Sequence, residues 1–63
     1  MNDRDRMPFG KYQGAPMEEV PASYLLWLWN EGVSHDGVRQ YIIDSFSALE
    51  KDAPDVIVKR RPT

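Results

Sequence analysis

The chain of 63 residues has no cysteine, so no disulfide can staple it and no thiolate can hold a metal. Its one histidine, His35, falls short of the usual cluster of imidazole ligands. No apolar run approaches the roughly 18 residues needed to cross a bilayer. The longest, Tyr24-Leu25-Leu26-Trp27-Leu28-Trp29, is a third of that. The charged start Met1-Asn2-Asp3-Arg4-Asp5-Arg6 has no apolar region behind it and does not match a secretory signal peptide, so cytoplasmic residence without membrane contact is the expectation. A chain this short buries only about 60% of the surface that its unfolded form exposes. Residues 1–63 therefore read as a single small domain, with 1–5 and 59–63 as flexible ends, and a two-domain enzyme is excluded.

Acidic residues outnumber basic ones by 10 to 8, and their distribution matters more than the net charge of −2. Arg4, Arg6 and Lys11 leave the first 16 residues slightly positive. Glu18, Glu19, Glu31, Asp36, Asp44, Glu50, Asp52 and Asp55 make the middle strongly acidic against only Arg39 and Lys51. Lys59, Arg60 and Arg61 make the end basic. Basic ends can hold a polyanion, but an acidic middle repels phosphates, which excludes a general nucleic-acid coat protein.

Gly10 and Gly14 bracket Lys11-Tyr12-Gln13, with the short apolar stretches Met7-Pro8-Phe9 and Ala15-Pro16-Met17 outside them. Glycines that permit a reversal between two apolar stretches predict a small β-hairpin or paired extended arms; the prolines donate no ladder bonds and restrict any strands to short edge ones. Pro21 suits the first turn of a helix that Gly32 closes. On that helix Leu25, Leu28 and Trp29 share one side, Leu26 and Val33 flank it, and Trp27 falls among polar positions. Ser34 as N-cap and Asp36 in the first turn predict a second helix running toward Pro54. Its apolar face is Val38, Tyr41, Ile42, Phe46 and Leu49. The short loop between the helices makes them antiparallel. The expected fold is α+β: an N-terminal β-hairpin packed on an antiparallel helix pair, covering the Trp27 side. Val56-Ile57-Val58 is long enough to add a strand but does not require one.

The stretch from Met7 to Leu28, read as M-P-F-G-K-Y-x-G followed by P-x-x-Y-L-x-W-L, resembles the small bacterial and phage proteins catalogued as putative quorum-sensing-regulated virulence factors. It is similar also to the C-terminal appendage of exodeoxyribonuclease X. Phe9, Gly10, Lys11, Tyr12 and Gly14 fill the first half of the pattern; Pro21, Tyr24, Leu25, Trp27 and Leu28 fill the second. Gln13 stands where a second lysine is commoner, which removes one positive charge from the turn. The resemblance implies a hairpin followed by helices and a module with no catalytic centre of its own.

Phe9, Gly10, Lys11, Tyr12, Trp27, Lys59, Arg60 and Arg61 are the candidate binding residues. The Gly10–Gly14 turn can offer a cation, a stackable ring and backbone N–H groups to a single strand. Equally, its glycines can simply make the turn while Phe9 and Tyr12 pack on Trp27. It is not a P-loop, since the upstream glycine and the following Ser or Thr are missing. Trp27 and Trp29 are partner anchors or core, and Lys59-Arg60-Arg61 is a phosphate clamp or a solubilising tail.

Ser34, His35 and Asp36 are too close in sequence to converge on one reacting atom, and capping accounts for Ser34 and Asp36. Adjacent Glu18 and Glu19 read as solvated acids favoured by the helix dipole. No catalytic residue, metal ligand or cofactor site is assigned. The leading expectation is a non-enzymatic interaction or accessory module, tied to DNA-processing machinery through the resemblance, with a protein or DNA partner. One alternative is direct nucleic-acid binding through Arg4, Arg6, Lys11, Tyr12, Lys59, Arg60 and Arg61. Another is a phage-type inhibitor or regulator of a host protein, with self-association into a homo-oligomer as an option.

Overall fold

Glycine and proline decide the first part of the fold, in a computed structural model that describes residues 3–62; residues 1, 2 and 63, within the ends expected to be flexible, lie outside it. The chain reverses across residues 10–14. The Met7 N–H donates to the Ala15 carbonyl at 2.8 Å, and the Gly14 N–H to the Met7 carbonyl at 2.8 Å. No hairpin results. The N–H groups of Gln13 and Ala15 bond locally, to the Gly10 and Tyr12 carbonyls; the arms are held together further out by the Met17 N–H on the Asp5 carbonyl and the Glu18 N–H on the Asp3 carbonyl, but the ladder amounts to one isolated antiparallel bridge between Arg6 and Pro16. Pro8 and Pro16 have no N–H with which to extend a ladder.

The α+β expectation is therefore corrected. Among the described residues there is no strand, and the architecture is all-helical: a 3₁₀ turn at Met17–Glu19, then α1 (Ala22–Glu31), α2 (Asp36–Asp44) and α3 (Phe46–Asp52). Pro21 stands immediately before α1, and Gly32 closes it by donating its N–H to the Leu28 carbonyl at 2.9 Å.

The expected antiparallel pair becomes three helices because the second is interrupted at Ser45, where φ is −106° and ψ 9°. That single residue bends the path without breaking the apolar period. Val38, Ile42, Phe46 and Leu49 are buried on both sides of it. The α2 cap is His35, not Ser34: its Nδ1 accepts the Val38 N–H at 3.2 Å, which requires that nitrogen to be unprotonated.

The core joins these four side chains to Leu25, Leu26 and Trp29 of α1 and to Met7, Met17 and Val20 from the reversed N-terminal segment. Leu26 is fully buried and Leu28 only partly, so the inward side of α1 is turned from the Leu25–Leu28–Trp29 side toward Leu26. Both methionines flank the reversal, and each inserts a flexible chain between the loop and the helices. After α3 the chain turns at Ala53–Val56 and continues without regular secondary structure. Val56 and Val58 pack on the core, while Ile57 between them is 83% exposed. This two-residue alternation is that of a strand, but the segment lies on helices and pairs with no other strand among the described residues.

Candidate functional site

Two surfaces hold the residues that the sequence singles out, on different sides of α1. Trp27 and Trp29 are two positions apart, about 200° around the helix. Trp29 is 4% exposed in the core and Trp27 is 53% exposed.

The first surface is a ladder of rings. Tyr24, one turn before Trp27, stacks on it with centroids 5.9 Å apart and planes 23° apart. Tyr12, from the turn, meets Tyr24 edge-on at 4.8 Å. The Lys11 ammonium lies 5.6 Å from the centre of the Tyr12 ring, a cation–π distance. The turn is tied to the helix by its backbone, the Lys11 N–H donating to the Tyr24 hydroxyl at 3.2 Å. Gly10, with φ at +83°, sits so close to that hydroxyl that a Cβ would overlap it. Phe9 turns away from Trp27 and meets the His35 ring edge-on at 6.0 Å. The turn thus packs on Tyr24 and His35, and Trp27 stays uncovered.

The second surface is built by the end of the chain. Asn30 holds its backbone at two points: Nδ2 donates to the Ile57 carbonyl at 2.7 Å and Oδ1 accepts the Lys59 N–H at 2.9 Å. The Trp29 indole N–H donates to the Arg60 carbonyl at 2.8 Å, and the Arg60 guanidinium lies 5.6 Å from the Trp29 ring centre. Arg61 pairs with Glu50 at 2.7 Å. Residues 57–61 are therefore bound to side chains of α1 and α3, and the two terminal arginines have defined positions.

The structure unites Gly10, Lys11, Tyr12 and Trp27 through Tyr24, a residue of the motif whose place in the ladder sequence spacing does not disclose, and sets Phe9 apart on His35. Lys59, Arg60 and Arg61 gather instead around Trp29, Asn30 and Glu50. Arg6 donates to the Gly14 carbonyl at 2.8 Å and so braces the turn. Sequence reasoning missed Asn30 and Arg39. Asn30 carries a visible signal, an amide directly after the run of rings and aliphatics from Tyr24 to Trp29; Arg39 looks like any solvated helix cation.

Elsewhere Glu18, Glu19, Asp52 and Asp55 rim a surface groove of about 500 Å³ between the start of α1 and the end of α3. Their charge repels phosphate from that side. Among the described residues no three His, Cys, Asp or Glu side chains are grouped to hold a metal ion. No described helix is long and apolar enough to cross a membrane. Tyr41 donates to Asp3 Oδ1 at 2.6 Å. Its hydroxyl is pushed up to about 12, first by burial, then by this bond and the negative charges of Asp3 and Glu18.

Compared with known proteins, residues 3–46 match the family model described as "Putative quorum-sensing-regulated virulence factor". No curated protein and no solved structure matches the chain.

Proposed function

Because the chain belongs to the putative quorum-sensing-regulated virulence factor family, whose description names a regulation and no chemistry, we propose its function from its surfaces: a non-enzymatic docking module. Its contact face is the Tyr12–Tyr24–Trp27 ladder with Lys11 at its edge. The observation that carries this reading is Trp27, 53% exposed on a preorganised aromatic stack. Rigid aromatic anchors supply contact area at little entropic cost, and such residues dominate binding energy in interfaces. The finer resemblance, to the appendage of exodeoxyribonuclease X, adds an accessory place beside DNA-processing machinery; that warrant is analogy.

A second reading, direct binding of a single strand, is favoured by Lys11 beside Tyr12, a cation flanking stacked rings. Replacing Trp27 by a photo-crosslinking residue tests both. Capture of one protein, or of a single-stranded oligonucleotide, at position 27 and not at the exposed Ser47 supports the docking face and identifies its partner class. Equal labelling from both positions removes the reading.

A further inference from the structure

Arg39, Arg60 and Arg61 line one surface depression of about 270 Å³, together with Trp29, Ile43 and Pro62. Arg39 comes from the exposed side of α2 and the other two from the end of the chain. Nothing in the sequence brings them together. They meet because Asn30 and the Trp29 indole fix the backbone at Ile57, Lys59 and Arg60, which carries residues 60–62 to α2.

In a protein with a net charge of −2, this is a local concentration of positive charge. Its compensation is partial. Glu50 pairs with Arg61, Arg60 faces the Trp29 ring, and the Arg39 side chain has no hydrogen-bond or ion-pair partner among the described residues. We propose that this depression is a phosphate-binding site, formed by Arg39 of α2 with Arg60 and Arg61 of the docked chain end.

Guanidinium groups suit a phosphate because each offers a planar fork of donors that matches two of its oxygens, and none can lose its charge. A doubly charged phosphate can use several of these forks, whereas a carboxylate, with two oxygens and one charge, uses fewer. The floor of the site restricts what else is read. Trp29 is buried, with Arg60 over its ring and Phe46 packed against it at 5.8 Å in a T-shaped contact, so no base stacks there. The site recognises charge and phosphate geometry, from free phosphate or from the backbone of a strand. It stands apart from the Trp27 ladder and does not depend on the docking face.

The test follows the Trp29 indole N–H by NMR in the full chain, assigned against Trp27→Phe, during titration with inorganic phosphate and with a short single-stranded oligonucleotide. Saturable shifts with either probe, weakened about tenfold in Arg39→Gln and in Arg60→Gln, are the expected result. Saturation by phosphate with no further gain from the oligonucleotide assigns the site to free phosphate. Tighter oligonucleotide binding, with a salt slope reduced by about one in each variant, assigns it to a strand. Glu50→Gln releases Arg61 and should tighten binding severalfold, a gain that a merely structural role for these arginines would not produce. The proposal is overturned if neither probe saturates. It is also overturned if binding survives both arginine variants and is lost in Lys11→Ala, which would place it at the turn.

Discussion

The Tyr24 hydroxyl accepts the Lys11 N–H at 3.2 Å while the Tyr24 ring is held between Tyr12 and Trp27. One side chain therefore fixes the position of the turn and the orientation of the exposed tryptophan. A change at the turn reaches the candidate docking face through this contact.

Gly10→Ala should show that coupling. A Cβ there both strains a positive φ and overlaps a hydroxyl that its stacked ring cannot readily withdraw. We expect a loss of about 1–3 kcal/mol in urea unfolding. The loss should exceed that of Gly14→Ala, where a Cβ meets nothing within 4 Å and only the backbone strain remains.

The two tryptophans should separate cleanly. Trp29→Ala empties a core position and leaves the Arg60 carbonyl without its donor, for a loss of about 3–5 kcal/mol. Trp27→Ala forfeits mainly its stacking on Tyr24, about 0.5–1.5 kcal/mol. Chemical denaturation measures both. A Trp27 loss as large as that of Trp29 would make Trp27 a core residue and remove it as an anchor.

Asn30 should control the end of the chain. Asn30→Ala removes a donor and an acceptor at once, and hydrogen exchange at the Lys59 amide should accelerate strongly. Asn30→Asp keeps the acceptor for Lys59 but points an anionic oxygen at the Ile57 carbonyl. Protection of the Lys59 amide should therefore be intermediate. Unchanged exchange in both variants would mean that the clamp does not hold the segment in solution.

Tyr41 should make stability sensitive to alkali. Its folded-state value is raised to about 12 from the ordinary 10, so the folded protein favours the protonated phenol. That contribution is fully present below pH 10 and is lost as pH rises from 10 through 12. Tyr41→Phe should flatten this part of the stability profile in denaturant titrations at increasing pH. An unchanged profile in that variant would assign the alkaline loss to another group.

Much of the helical part is legible from residue spacing. Pro21 and Gly32 bracket α1, and Val38, Ile42, Phe46 and Leu49 share one buried face because a 3.6-residue period places them there whatever packs against them. The bend at Ser45 leaves that period intact and so leaves no trace in it. The N-terminal segment misleads for a related reason: glycines between apolar stretches specify a reversal, but not whether backbone groups pair across it or close into local turns. Ser34 is the better N-cap by residue type, yet the His35 ring reaches the Val38 N–H.

What the sequence by itself determined is local: the absence of cysteine chemistry, the ends of α1, the apolar face of α2 and α3, and a basic cluster at positions 59–61. Only tertiary structure decided that Trp29 is core while Trp27 faces outward, and that Tyr24 joins the turn to the exposed ring. It alone placed Arg39 beside Arg60 and Arg61. The reason is physical. Periodicity and capping act over three or four residues, whereas these juxtapositions depend on side chains such as Asn30 binding backbone 27 to 29 positions away.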